Sequence, residues 1–329
     1  MIHRHVVLGT AAVLLLASVR VGAQAVESSS RQSPGDAWWT GPMLANSAAT
    51  LPRGHFLFES YLYDVVATSQ YDQSGRRQRA PRSDSFGSQS YLLYGLADRF
   101  SVGLVPNFGF NSASTGARSS RIGAGDLGVM GQVRLTESDP FARMPTISIN
   151  VQETLPTGKH DRLGGRPADG LGGGVYTTTL SLYSQKYFWL PTGRIMRMRL
   201  NVSQAFSGSA ALEDASVYGT EAGFRGNAQP GQSTYVDAAW EYSVTQRWVV
   251  ALDATYRHAR TTRVTGYSTS DSGILRVASS GPSDALGLAP AVEYNWSSNM
   301  GVLFGARFIA AGRNTAASIT PAVALNIVR

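Results

Sequence analysis

Apolar and polar residues alternate with a period of two through most of the chain. In the segment 247–257, apolar residues occupy every second position from Trp248 to Tyr256, and the positions between them are mainly small or polar. Successive residues of a strand point to opposite faces of a sheet, so this pattern predicts strands with one apolar and one polar face. The same pattern recurs in four other segments: 146–155, 195–206, 233–243 and 299–310.

Extended to the whole chain, the alternation predicts about twelve strands and no helix after the N-terminus. Short and long connections between them largely alternate, which is typical of an up-and-down barrel with turns at one end and loops at the other. The predicted strands are 55–66, 88–95, 100–110, 125–135, 146–155, 175–188, 194–206, 233–243, 247–257, 285–296, 300–311 and 316–328. The predicted long loops are 67–87, 111–124, 156–174, 207–232 and 259–284.

Two features favour a bilayer over water as the surroundings of the apolar faces. Charged residues lie mid-strand on the polar faces, which suits a wet interior, and aromatic residues lie near the turns on the apolar faces, which suits a membrane interface. The sequence therefore predicts an all-β fold, a transmembrane antiparallel β-barrel with short periplasmic turns and long extracellular loops. A water-soluble exported β-sandwich is the alternative, because it alternates in the same way.

The N-terminus has the pattern of a secretion signal. A basic start precedes the apolar run Val6–Ala17, and Ala23-Gln24-Ala25 is a small-x-small cleavage site. The run of 12 residues is too short for a helical membrane anchor. We therefore predict a signal peptide over 1–25, a periplasmic segment over 26–54 and an outer-membrane barrel over 55–329.

Composition agrees with this class and excludes others. Charged residues make up 16% of the chain, Gly is abundant at 35 residues, and there is no Cys. The missing thiols exclude disulfide scaffolds and cysteine metal sites, and the 43% of hydrophobic residues argues against a disordered chain. The formal net charge of +7 does not indicate nucleic-acid binding, because the basic residues are concentrated on one loop without a recognition fold.

Three stretches carry a family resemblance: 40–63 (TGPMLANSAATLPRGHFLFESYLY), 123–135 (GAGDLGVMGQVRL) and 155–159 (LPTGK) before a glycine-rich loop. Their order and spacing resemble the outer-membrane channel family associated with meta-pathway phenol degradation, whose members are often called transporters. The resemblance implies a barrel of roughly twelve strands, a role in moving hydrophobic compounds, and insertion by the barrel-assembly machinery. Such barrels often end in an aromatic residue, whereas this chain ends Ile327-Val328-Arg329.

Parity assigns a set of charged residues to the interior, where they would form a polar path or an internal salt-bridge network. This predicted lumen-lining set is Glu59, Asp126, Arg134, Arg197, Arg199, Asp237, Glu241, Asp253, Arg257, Glu293 and Arg307. A second set, predicted to form an aromatic girdle at the membrane interface, is Trp189, Trp240, Tyr242, Trp248, Tyr294 and Trp296. Twelve strands enclose more space than side chains alone fill, but far less than a porin's channel.

The segment before the first strand is apolar. Trp38, Trp39, Met43 and Leu44 are candidates for a plug inside the barrel, and a strap across the periplasmic mouth is the equal alternative. In the first outer loop, Gly75–Arg82 carries four arginines, which could pair with lipopolysaccharide phosphates or form a solvated charged loop.

The function predicted from the sequence is an outer-membrane channel for passive uptake of small hydrophobic or aromatic solutes. It needs no cofactor, no metal and no catalytic residue, and its partners are the lipid bilayer and the solute. One alternative is a structural or lipid-contacting barrel with a blocked lumen. Another is a lipid-modifying enzyme, for which His258 at the outer rim is the candidate, although no Ser or Asp partner is identifiable from spacing.

Overall fold

The computed structural model describes residues 31–137, 144–268 and 275–329, which form an all-β fold. The predicted signal peptide, 1–25, lies outside these residues. None of the described segments forms a helix long and apolar enough to cross a bilayer. The strands are β1 (Phe56–Tyr71), β2 (Arg77–Ala97), β3 (Phe100–Val105), β4 (Asn107–Ala113), β5 (Gly123–Ala124), β6 (Leu127–Thr136), β7 (Thr146–Leu155), β8 (Thr177–Trp189), β9 (Ile195–Ser207), β10 (Ala210–Glu213), β11 (Phe224–Gln229), β12 (Ser233–Ser243), β13 (Trp248–Ala259), β14 (Arg263–Ser268), β15 (Leu275–Ser279), β16 (Ser283–Ser297), β17 (Met300–Arg313) and β18 (Thr315–Val328).

Fourteen of these strands form one closed antiparallel sheet, because β1 pairs with both β2 and the last strand, β18. Two of the twelve barrel strands are each divided into two segments. β3 and β4 are separated by Pro106, which has no N–H to donate to a ladder, and together count as one barrel strand; β5 and β6 together make the next one. The barrel therefore has twelve strands, which confirms the predicted fold class.

The two faces of the barrel wall differ as the alternation predicts. In β13, Trp248 and Val250 on the outer face are 48% and 43% exposed, whereas Val249 and Asp253 on the inner face are fully buried. Exposed Leu, Val, Ile and Phe side chains continue around the outer face, and polar side chains are concentrated inside. Closure leaves no unpaired sheet edge, as a lipid-surrounded sheet requires.

Strand pairing continues beyond the predicted boundaries in the first hairpin. The predicted loop 67–87 is mostly strand, because β1 and β2 remain paired past a register shift at Ala67/Ser69 and turn only at residues 72–76. The arginine-rich stretch therefore lies largely on a strand, where Arg82 pairs with Asp84 at 2.7 Å. This corrects the prediction that the arginine-rich stretch lies in a loop.

The long loops 207–232 and 259–284 contain a second sheet, which the sequence analysis missed. β10, β11, β14 and β15 pair in the order β10-β11-β14-β15. Their inner side buries an apolar cluster that includes Leu212, Phe224 and Val264. This sheet lies at the long-loop end of the barrel, opposite the short-turn end where β1 begins and β18 ends.

Candidate functional site

The segment 31–55 runs inside the barrel before β1 begins. The Trp38 N–H donates to the Gln246 carbonyl, and the Arg53 N–H donates to the Asp98 carboxylate, both in turns at the short-turn end. Between these two points the segment bonds to inner-face residues of β6, β7, β9, β13 and β16. The segment therefore enters and leaves at the same end and occupies the interior between.

Two carboxylates of the barrel wall hold the first half of this segment by its backbone. Asp253 accepts N–H groups from Met43 at 3.0 Å, Leu44 at 3.3 Å and Ala45 at 3.0 Å. Glu293 accepts the N–H groups of Thr40 at 2.8 Å and Gly41 at 3.1 Å. Both carboxylates are fully buried, and hydrogen bonds to a charged acceptor are the strongest of their kind. We call Asp253 and Glu293 the carboxylate clasp.

Two arginines of β9 add to this attachment. Arg197 forms a buried ion pair with Glu241, and its guanidinium lies 4.6 Å from the centre of the Trp39 ring, a cation–π geometry. Arg199 donates to the Ala45 carbonyl at 2.7 Å. Both faces of the segment's backbone are therefore bound, the N–H groups by carboxylates and a carbonyl by a guanidinium.

The second half of the segment is bound to the opposite wall by uncharged groups. Gln132 donates to the Ser47 carbonyl at 3.0 Å, the Ser148 hydroxyl donates to the Ala48 carbonyl, and the Leu51 N–H donates to the Ser101 hydroxyl at 2.9 Å. The segment also joins an apolar cluster, in which the Met43 side chain packs with Ala289, Leu303 and neighbouring residues of β13, β16, β17 and β18.

A cavity of about 480 Å³ remains beside the segment, along the inner faces of β1, β2 and β18. Three tyrosines, Tyr61, Tyr63 and Tyr91, line its middle, and Leu57 and Leu93 line the part nearer the short-turn end. The segment forms the facing wall with residues 40–47 and 49–51. This volume is within the range of small-molecule sites, about 300–1,000 Å³.

The long-loop end is narrowed by the loop 156–176, which folds against the inner face. The Asp126 carboxylate accepts the N–H groups of Gly158 at 2.9 Å and Gly173 at 2.7 Å. The Leu171 side chain would lie 3.0 Å from a Cβ on Gly109 and 2.7 Å from one on Gly123, so glycine at these wall positions leaves room for it.

Two further groups tie this loop down. The Tyr218 hydroxyl donates to the Gly173 carbonyl, and burial, followed by the charge of Asp126, raises the pKa of Tyr218 to about 12. Hydrogen bonds from Ser120 hold the pKa of the Asp169 carboxyl below its usual value. The loop is thus joined both to the barrel wall and to the loops beside it.

The structure gives the predicted lumen-lining residues several different surroundings. Glu59, Arg199 and Arg307 border the cavity, Asp253 and Glu293 form the clasp, and Arg197 pairs with Glu241. Asp237 accepts the Tyr235 hydroxyl at 3.2 Å, Arg257 is solvent-exposed on the inner-face parity of β13, and Asp126 holds the long loop. Arg134 donates to the Asp98 carbonyl at the short-turn end.

The sequence analysis did not single out the uncharged polar residues that hold the segment, namely Gln132, Ser148 and Ser101. The only available signal was their inward parity on predicted strands. Of the predicted plug residues, Met43 and Leu44 donate to Asp253, and Trp39 lies between Arg197 and Tyr187, the latter with ring centroids 6.2 Å apart. The Arg247 guanidinium lies 5.8 Å from the Trp38 ring.

Five of the six predicted girdle residues lie on the outer face near the short-turn end. Trp248 and Tyr294 have ring centroids 4.7 Å apart, and Tyr294 and Trp296 5.6 Å apart. Trp240 and Tyr242 share this face, opposite Leu252 and Val250.

Trp189 departs from the girdle prediction, because it lies on the inner face, opposite the buried Ile195. Its indole N–H donates to the Gln32 carbonyl at 2.9 Å, and the Arg31 guanidinium lies 5.8 Å from its ring. The alternation of β8 places its neighbour Phe188 outside instead. Trp189 therefore anchors the start of the internal segment.

Comparison with solved structures identifies an outer-membrane channel from Pseudomonas putida F1 as similar, with a TM-score of 0.68 and 15% sequence identity over 87% of this chain and 100% of that chain. The toluene transporter TodX of Pseudomonas putida aligns with a TM-score of 0.41 and 12% identity over 93% of this chain and 96% of that chain, and this lower similarity supports no inference. No protein-family model matches the sequence, and no curated protein is significantly similar to it. At this level of identity the first comparison establishes the fold alone, that of a closed β-barrel.

Proposed function

We propose that the protein is an outer-membrane channel for the passive passage of small hydrophobic solutes. The observation that carries the proposal is the cavity between the internal segment and the wall formed by β1, β2 and β18. Its lining of tyrosine rings and leucine side chains suits an apolar or aromatic solute, and its polar groups suit one that also carries a hydrogen-bonding group.

The route that the interior offers runs beside the segment. The segment is bonded to β6, β7, β9, β13 and β16, and the cavity follows the remaining side of the barrel. Passage toward the short-turn end then follows Tyr63, Tyr61 and Leu57 along β1. Displacement of the segment would widen this route, and no energy source or cofactor is needed for diffusion down a gradient.

The location follows from the same proposal. The apolar outer face and the aromatic group of Trp248, Tyr294 and Trp296 suit a bilayer with an interface near the short-turn end. Secretion by the predicted signal peptide, insertion by the assembly machinery, and contact with lipopolysaccharide at the long-loop end are parts of the proposal that rest on the sequence.

A blocked barrel is the rival function, because the internal segment and the loop 156–176 both occupy the interior. The enzyme alternative centres on His258, whose Nδ1 lies 2.8 Å from Asp284 on the long-loop side. The Asp284 carboxylate also accepts from the Tyr256 hydroxyl and from Arg313, and among the described residues no Ser or Thr hydroxyl joins this cluster. A His–Asp pair without a Ser or Thr nucleophile favours a structural rim contact over acyl transfer.

The test compares the full chain with a variant that lacks residues 36–50, both purified and reconstituted in planar bilayers, and both expressed in a porin-deficient host for uptake of a small aromatic solute. We expect uptake with the full chain, and larger conductance steps with the deletion. Uptake no greater than in the empty host, with a silent full chain in bilayers, would support the blocked barrel and contradict the channel. Heat-modifiable gel mobility checks that both forms are folded.

A further inference from the structure

Two arginines on the long-loop side of the internal segment face the interior without forming an ion pair within the described residues. Arg257 is four residues beyond Asp253 on β13, toward the long-loop end, and Arg307 is on β17 opposite Thr320. Arg307 borders the cavity. Arg257 is solvent-exposed, and the alternation of β13 places it on the same inner face as Asp253. Both arginines lie near Thr255: Arg257 follows it by two residues on β13, and the Arg307 Nε lies over Gly287, the residue paired with Thr255.

The interior carboxylates are already engaged elsewhere. The clasp residues Asp253 and Glu293 accept backbone N–H groups of the segment, and Glu241 lies between Arg197 and Arg199. Asp237 accepts the Tyr235 hydroxyl, and Glu59 accepts the Tyr61 hydroxyl. No described carboxylate therefore forms an ion pair with Arg257 or Arg307, and their positive charges are not neutralised by direct contact.

Two hydrogen-bonding groups beside these arginines are buried without a partner. The Arg307 Nε and the Thr255 hydroxyl have no hydrogen-bond partner. They lie close together over Gly287, where an added Cβ would be 2.7 Å from the Thr255 hydroxyl oxygen and 3.2 Å from the Arg307 Nε. A buried donor without a partner is costly, and an anion in contact with it would remove that cost.

Away from Arg307, aromatic and aliphatic side chains dominate the lining of the same cavity. Along β1 the lining runs from Tyr63 and Tyr61 past Glu59, whose carboxylate accepts the Tyr61 hydroxyl, to Leu57, which faces Leu93 of the neighbouring strand β2. One end of the cavity therefore offers guanidinium and hydroxyl groups, and the other offers aromatic and aliphatic side chains. A ligand that matches both ends has a negative head and an apolar body.

We propose that Arg257 and Arg307 form a binding site for the anionic head group of a small amphiphile, a carboxylate joined to an aromatic or aliphatic body that occupies the tyrosine- and leucine-lined cavity. The proposal rests on the proposed function and narrows its solute to acids. A planar guanidinium binds a carboxylate through two parallel hydrogen bonds, and a bound anion also neutralises positive charge of the two arginines.

The test measures binding of two probes of nearly the same shape to the full-length protein in lipid nanodiscs, by calorimetry with empty nanodiscs subtracted. The probes are 4-butylbenzoate and its neutral analogue 4-butylbenzamide. We expect the wild-type protein to bind the carboxylate more tightly than the amide. Arg257→Gln and Arg307→Gln should each weaken carboxylate binding by roughly tenfold to a hundredfold, with little effect on the amide.

Arg263→Gln is the matched control, because it removes an exposed guanidinium on the separate sheet of the long loops. It should leave both affinities unchanged. Equal binding of the two probes by the wild-type protein, or a preference for the carboxylate that survives in the double variant, would overturn the proposed head-group site. Failure of both probes to bind would instead contradict the proposed channel cavity. Heat-modifiable gel mobility of each variant separates a lost site from a lost fold.

Discussion

Substitution of Asp253 by Asn should loosen the internal segment. The carboxylate accepts three backbone N–H groups, two on one oxygen and one on the other. An amide keeps one acceptor oxygen, so it can still serve Leu44 and Ala45, but its NH₂ group then faces the Met43 N–H. At least one buried N–H loses its acceptor, and the remaining bonds lose the full charge of the carboxylate.

The magnitude follows from the strength of such bonds. A hydrogen bond to a charged group contributes about 1.5–3 kcal/mol, and a buried donor left without a partner costs a comparable amount. We expect the attachment of the segment to weaken by about 2–4 kcal/mol in total. Since each 1.4 kcal/mol is a factor of ten, the population with a displaced segment should rise roughly 30-fold to 1,000-fold.

A single introduced thiol makes this population measurable, because the chain contains no Cys. Ala48, in the middle of the segment, is 0% exposed, and only its backbone carbonyl is used in bonding, to Ser148. In an Ala48→Cys background, a water-soluble maleimide should react slowly, and Asp253→Asn should raise the labelling rate by the factor given above.

Asp237→Asn is the matched control, since it makes the same chemical change on the neighbouring strand β12. Asp237 accepts the Tyr235 hydroxyl, and among the described residues it bonds to no group of the segment. An unchanged labelling rate in the Asp253 variant, or an equal rise in the Asp237 variant, would refute the assignment of Asp253 as a specific anchor.

Three further substitutions test other parts of the interior and the outer face. Trp39→Ala removes the ring beside the Arg197 guanidinium and should raise the same labelling rate roughly twofold to thirtyfold, for a cation–π contact of about 0.5–2 kcal/mol. Gly172→Ala places a Cβ 2.5 Å from the Asp126 carboxylate oxygen, so the loop 156–176 should detach and become sensitive to trypsin, whereas the wild-type loop resists. Trp248→Ala removes the aromatic contact with Tyr294 and should lower the temperature at which the folded band disappears in gels, while leaving thiol labelling unchanged.

The strand positions could be predicted from the sequence because the two faces of each strand lie in different environments. The outer face selects apolar residues and the inner face selects polar ones. The bounds of β7 and β12 match the predicted 146–155 and 233–243, and these strands alternate without interruption. The first hairpin was underestimated because Arg79 and Arg82 interrupt the apolar face while the backbone pairing continues. The four-stranded sheet of the loops was missed because strands as short as Ala210–Glu213 carry too few positions to show a period.

The interior was predictable only in part. Parity indicates that Asp253 and Glu293 point inward, but it does not show what they meet there. Their partners are backbone N–H groups of Thr40, Met43 and Ala45. Since every residue except proline carries such a group, no side chain in the segment indicates the contact in the sequence. The sequence therefore left a wet lumen, a salt-bridge network, a plug and a strap open.

The charged residues of the barrel wall bind the backbone of an internal segment that has no charged side chains of its own. Residues 40–51 contain no Asp, Glu, Lys or Arg, yet their backbone supplies donors to the two clasp carboxylates and acceptors to Arg199, Gln132 and Ser148. An interior filled by leucine and phenylalanine would expose a large apolar surface whenever it opened. A backbone held by hydrogen bonds can instead exchange those bonds for water at a small net cost for each. Carboxylates and guanidinium groups facing a neutral segment thus fill a twelve-stranded barrel, and in the proposed channel this segment is the part that would be displaced while the wall stays intact.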